Sequence, residues 1–257
     1  MGLLLLKLTI TPAVIAFATL AARRFGPAVG GWLIGLPFTC GPVVLFVALE
    51  HGPGVASKVA TGFLAGVTAE VAFVLGYVAV AARGGRWQPS LAAGTISFAV
   101  AGAALDSTGP SLAFLAVCAL AALVVGLRLV PVGDKLIGGA SHWELPLRMA
   151  MATSLVLAIT ALVATLGPGI SGTVTAYPLI SSLLAVSVHR AAGPGAAVAV
   201  YRGLLAGLFA LMGFACTLVL VLSRLPLADA FALALVLTLS IQLGSLPVLR
   251  RTGVARA

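Results

Sequence analysis

The sequence predicts an all-α polytopic membrane protein with nine transmembrane helices, two inverted-topology repeats of four flanking one linking helix (4+1+4). Three observations lead there. Hydrophobic residues make up 61% of the 257-residue chain and charged ones 8%, with a mean hydropathy of +1.19, whereas a soluble domain carries about 25% charge. Apolar windows long enough for a bilayer core, which needs about 20 residues per helix, recur along the chain. The chain also matches itself without gaps at an offset of 141 residues.

Between Gly, Pro and Arg punctuation, the spans fall near 3–22, 29–49, 57–82, 90–107, 110–130, 146–166, 170–189, 196–222 and 227–249. The first has no basic leader, carries Lys7 within it and ends at Arg23-Arg24, so it reads as a membrane helix and not a cleaved signal. Arg23, Arg24, Arg83, Arg86, Arg128, Lys135, Arg148, Arg190, Arg202, Arg250, Arg251 and Arg256, 12 of the 15 cations, fall on one side of this arrangement. By the positive-inside rule that side is cytoplasmic, which puts the N-terminus outside and the C-terminus inside a bacterial cytoplasmic (inner) membrane. The sizeable loop at 131–145 is then cytoplasmic. The net charge of +9 is explained by this bias, so no nucleic acid is implied. Cys40, Cys118 and Cys216 lie in apolar runs without metal spacing and read as membrane-packing residues.

At the offset of 141, Gly26-Pro27 meets Gly167-Pro168, Gly31 meets Gly172, Pro37 meets Pro178, and Gly52-Pro53-Gly54 meets Gly193-Pro194-Gly195. The register continues through Gly62 and Gly66 against Gly203 and Gly207, to Phe73 against Phe214. Repeat one is residues 1–107, a linker helix with its loop is 108–145, and repeat two is 146–257. Five helices separate equivalent points, so the second repeat enters the membrane from the opposite side, an arrangement common in secondary transporters. The Gly62/Gly66 and Gly203/Gly207 pairs are expected to pack helices closely between repeats.

A cation in the first helix, a basic helix end, a Gly-Gly-x-Leu-x-x-x-Pro second helix (Gly30 to Pro37) and a Gly-x-x-x-Gly third helix (Gly62, Gly66) together resemble the small four-helix GlpM-like membrane proteins. Each half resembles one such unit, over about 200 residues in all. The resemblance implies a shape, and an association with envelope polysaccharide production, and carries over no ligand residues.

Pro37 and Pro178 stand near the middle of spans 2 and 7, where each removes an N–H and frees the carbonyl of Leu33 or Val174. Thr39 and Cys40 cluster at the first break, with Thr175, Tyr177, Ser181 and Ser182 at the second. Non-helical backbone at membrane depth is tolerated where it is buried in protein or lines water, so these residues are the expected substrate site. A plain proline kink with hydroxyls on the freed carbonyls is the competing reading. Glu70 lies deep in span 3 and its repeat mate is Leu211, so the scaffold does not require it. A carboxyl at that depth suits a proton-coupling residue, or a structural Glu held by Thr61, Thr68 or Lys7. Lys7 and Arg148 are possible anion contacts, or snorkel to the interface. Gln242 either lines the cavity or makes an interhelical hydrogen bond. His189, Asp106, Asp229 and Glu50-His51 read as polar helix ends.

Enzymatic readings fail on the residues. Gly169-Ile170-Ser171-Gly172 resembles the string of rhomboid-like proteases, but the sole later histidine, His189, is at the far end of the same span. No nucleotide-binding motif or metal-ligand cluster occurs, and no cofactor is expected. The expected function is a secondary transporter or flippase moving a small solute, ion or lipid-linked substrate at a midplane site, with Glu70 as the coupling residue. The alternative is a non-transporting accessory protein of an envelope polysaccharide or lipid pathway. A fused channel of the fluoride-channel plan ranks lower, since the chain has no Asn for its pore. The bilayer and the substrate are the expected partners, in a monomer or homodimer.

Overall fold

The computed structural model describes residues 32–106, 111–133 and 167–251, plus a few isolated positions elsewhere. Spans 1 and 6, with Lys7 and Arg148, lie outside the described residues, as does most of the loop 131–145.

The described chain is helical, without strands: α1 Cys40–His51, α2 Pro53–Ala81, α3 Trp87–Asp106, α4 Leu112–Leu129, α5 Pro168–Thr175, α6 Leu179–Ala192, α7 Pro194–Val221 and α8 Leu227–Arg251. Six stretches among the described residues are long and apolar enough to cross a membrane, α5 and α6 counting together as Pro168–Ala192. They correspond to predicted spans 3, 4, 5, 7, 8 and 9, which fits a multi-pass membrane protein. Span 2 is interrupted after residue 34, at the break expected near Pro37, and its intact part, α1, with 12 residues, is too short to count among the six.

Gly-Pro pairs set the helix joints. Gly52 (φ 85°) and Gly193 (φ 89°) end α1 and α6, their N–H groups donating to the carbonyls of Ala48 and His189. The positive φ is accessible to glycine without a Cβ clash. Pro53 and Pro194 then open α2 and α7 at the first helical position, where a missing N–H costs nothing.

The core is built on α2, the α5–α6 segment and α7, whose membrane windows are 67%, 61% and 56% buried, against 22% for α3, α4 and α8. Those outer helices expose Ile96, Val100, Val117, Leu239 and Leu243, an apolar surface suited to lipid. The two central helices run antiparallel: Tyr77, late in α2, packs at a tilt on Tyr201, early in α7, while Val71 and Leu205 flank the same Gly126. Arg202, early in α7, donates to the carbonyls of Leu127 and Val130 and so caps the C-terminus of α4, where a cation also meets the negative end of the helix dipole.

Residues 141 apart make matching bonds. The Leu36 N–H donates to Leu33 O (3.1 Å) as Tyr177 does to Val174 O (3.0 Å), and Gly41 N–H to Pro37 O (2.8 Å) as Ser182 does to Pro178 O (2.8 Å). The contacts also reciprocate. Gly35 lies against Gly207, and a Cβ on Gly35 would come within 2.5 Å of the Gly207 carbonyl carbon; in the corresponding place Gly66 lies against Ala176 and Thr173. Gly207 packs on the Trp32 backbone as Gly66 packs on that of Thr173. Only hydrogen-sized side chains permit backbones this close.

Candidate functional site

Both broken helices contribute their breaks to one cavity. The first chain is irregular at 35–39 and the second at 176–178, because each proline lacks the N–H that would bond the carbonyl four residues earlier. The Leu33 and Val174 carbonyls, freed in this way, are taken up by the N–H groups of Leu36 and Tyr177, in tighter three-residue turns. The hydroxyls do not satisfy them.

The cavity is about 40 Å³ and lined by Leu36, Thr39 and Cys40 from the first break, Thr175, Tyr177, Pro178 and Ser181 from the second, and Glu70 from α2. Ile34, Ile180, Leu208 and Leu211 complete most of its wall. Much of the lining pairs at the offset of 141: Ile34 with Thr175, Leu36 with Tyr177, Thr39 with Ile180, Cys40 with Ser181, and Glu70 with Leu211. A void of this size holds about two or three waters, or a small ion.

Glu70 is 5% exposed and faces this cavity. Its carboxyl has no hydrogen-bond or ion-pair partner among the described residues. Thr61 and Thr68, two of the three expected holders, donate instead to the carbonyls of Ser57 and Leu64 in their own helix. A carboxyl at membrane depth is expensive to retain unless it is paired, and Lys7, the third expected holder, lies outside the described residues.

The remaining expected site residues are placed as follows. Pro37 shapes the first break without lining the cavity. Ser182 donates to Pro178 O and lies outside the lining, whereas Ser181, which also donates to Pro178 O, is within it. Thr175 donates to Ser171 O. Gln242 is away from the cavity: its Nε2 donates to Trp32 O at 2.7 Å, and Ser245 Oγ accepts from Trp32 Nε1 at 2.7 Å, so it is an interhelical tie. Asp106 accepts from Thr173 Oγ1 at 3.0 Å, joining α3 to α5, and is more than a polar helix end.

Behind the cavity is an aromatic cluster that the sequence reading missed. Tyr177 meets Phe73 and Phe98 edge-on at 5.8 and 5.2 Å, and its hydroxyl shares a 2.9 Å hydrogen bond with Thr95 Oγ1. Tyr201 packs on Phe73 and on Tyr77. The Tyr77 hydroxyl shares a 2.8 Å hydrogen bond with Nδ1 of His189, which is 8% exposed and so is not the plain helix terminus expected. The available signal was composition: all three tyrosines stand inside apolar windows and their mates at the offset, Leu36, Ala60 and Leu218, are apolar.

Compared with protein families, with curated proteins and with solved structures, the chain matches none.

Proposed function

We propose that the protein is a secondary transporter that moves a small solute or ion by alternating access between two inverted halves, residues 1–107 and 146–257, with Glu70 carrying a coupled proton. The observation that carries this reading is Glu70 itself, buried, without a partner among the described residues, on the wall of a cavity built from the breaks of both proline-interrupted helices. Broken helices meeting at a shared site between inverted repeats are a recurrent transporter design. The antiparallel course of α2 and α7, the matching hydrogen bonds and the paired cavity lining support the inverted repeat. The likeness of each half to a GlpM-like unit, the bacterial inner membrane and the cytoplasmic C-terminus belong to the same proposal.

A cavity of about 40 Å³ admits water or a small ion and no lipid headgroup, so the observed conformation favours a solute or ion carrier over a flippase. Cys40 provides a test that needs no substrate, since it lines the cavity and is 4% exposed. With Cys118 and Cys216 replaced by Ala, a small membrane-impermeant methanethiosulfonate reagent should modify Cys40 slowly from either face of sealed vesicles. A Cys40 thiol that never reacts, together with a Glu70→Gln protein that behaves as the wild type in every assay, would favour the accessory reading. One observation supports that second reading: the hydroxyls of Thr175, Ser181 and Ser182 already donate to backbone carbonyls.

A further inference from the structure

The polar lining of the Glu70 cavity is rich in acceptors. Thr175 and Ser181 line it with hydroxyls whose protons are committed to the carbonyls of Ser171 and Pro178. A hydroxyl in that state has only lone pairs left to offer, so it accepts and does not donate. Thr39 adds a third hydroxyl to the wall, and Glu70, 5% exposed, adds a carboxyl with no partner among the described residues. No Lys, Arg or His among the described residues lines the cavity.

The helix breaks leave this balance unchanged, because each brings one C-terminal and one N-terminal helix end to the cavity. Ile34, the last helical residue before the first break, stands with Cys40, the first of α1; Thr175, the last of α5, stands with Leu179, the first of α6. Opposite helix ends carry about half a unit charge of opposite sign, so each break is close to neutral and an ionised Glu70 sets the charge of the site. An anion is repelled there. A divalent cation is left half compensated, since such ions gather several carboxylates or keep most of their water, and an uncompensated charge in a low-dielectric site is costly. One carboxylate with acceptor oxygens around a space of about 40 Å³ matches a small monovalent metal cation.

We propose that the cargo is a small monovalent metal cation of the sodium class, bound by the Glu70 carboxylate with the hydroxyl oxygens of Thr39, Thr175 and Ser181, in exchange for the proton that Glu70 otherwise holds. The proposal rests on the carrier reading above and names its cargo. Loading converts Glu70–COOH and M⁺ into a Glu70–COO⁻·M⁺ pair and one H⁺ released to water; the carboxyl O–H is the only covalent bond broken. Because one carboxyl cannot hold both, the two ions share a site and move in opposite directions. The titratable groups facing Glu70 are Cys40 from α1 and Tyr177 from the second break, with Tyr201 of α7 in electrostatic range. Neither α3 nor α4 brings a titratable group to the cavity wall among the described residues.

Proton release from the purified full chain in weakly buffered detergent solution tests this, with sodium chloride alone as the probe. Infrared difference spectra of the same protein identify the Glu70 acid C=O stretch by its loss in Glu70→Gln. At a pH where that band is present, sodium chloride should abolish it and release about one proton per chain. Choline chloride should do neither, and Glu70→Gln should release none. About tenfold more sodium should be needed for each unit by which the pH is lowered, as competition at one site requires. Thr175→Val, close in shape, should raise the sodium needed severalfold. If Na⁺, Li⁺ and K⁺ all leave the band in place although it responds to pH, as when Lys7 is the partner of Glu70, the cation cargo is overturned and the carrier reading stands for a neutral solute. Release that persists in Glu70→Gln, or that calcium chloride elicits as well as sodium chloride, overturns it too. A Glu70 band that never responds to pH removes the coupling role and the exchange together.

Discussion

Glu70 and Leu211, 141 residues apart in the chain, line one cavity. If the halves are inverted repeats, as proposed, a leucine suffices for packing at the position Glu70 holds in the other half, and the carboxyl is surplus to the fold. Glu70→Leu should therefore fold and gain stability, by about 1–3 kcal/mol from removal of a buried polar group. Unfolding in SDS measures this. A large loss of stability would mean that Glu70 is held by a structural partner.

Arg83 and Arg224 are also mates, and each closes a helix with the same turn, its N–H donating to Val80 O at 3.2 Å and to Val221 O at 2.9 Å. If the halves are inverted, single cysteines replacing them in a cysteine-free background should react with an impermeant maleimide from opposite faces, Arg83 inside and Arg224 outside. Reaction of both from one face would sink the inverted topology.

Gly207 leaves no room for a Cβ against the Trp32 backbone, and Gly62 none against Gly169 and Gly172. Substitution forces backbones apart, since neither neighbour is a flexible side chain. Gly207→Ala and Gly62→Ala should each cost about 1–3 kcal/mol, visible as a lower thermal midpoint in detergent. Gly54, with open space around it, is the control, and Gly54→Ala should be close to neutral.

Gln242→Leu separates a tie from a ligand. It removes the Nε2 donation to Trp32 O, about 1 kcal/mol of interhelical hydrogen bonding, and should lower the thermal midpoint slightly. The rate at which Cys40 is modified should be unchanged, because Gln242 stands apart from the cavity. A changed rate would place Gln242 within the site's moving parts.

Composition alone determined the membrane class, because an 8% charged chain has too few polar side chains to cover a soluble surface. It also located the two breaks, since a missing proline N–H acts within one helical turn whatever surrounds it, and the offset of 141 drew attention to Glu70 as the residue that departs from its mate. The tertiary structure decided which faces meet. In a helix apolar all round, leucine is equally at home against lipid or protein, so the sequence carries no directional signal. That Gln242 reaches Trp32 and not the cavity, that Ser181 lines it while Ser182 does not, and that Tyr77 meets His189, 112 residues away, are consequences of packing. Each depends on how closely the glycines let α2 and α7 approach the broken helices, a distance that no local pattern encodes.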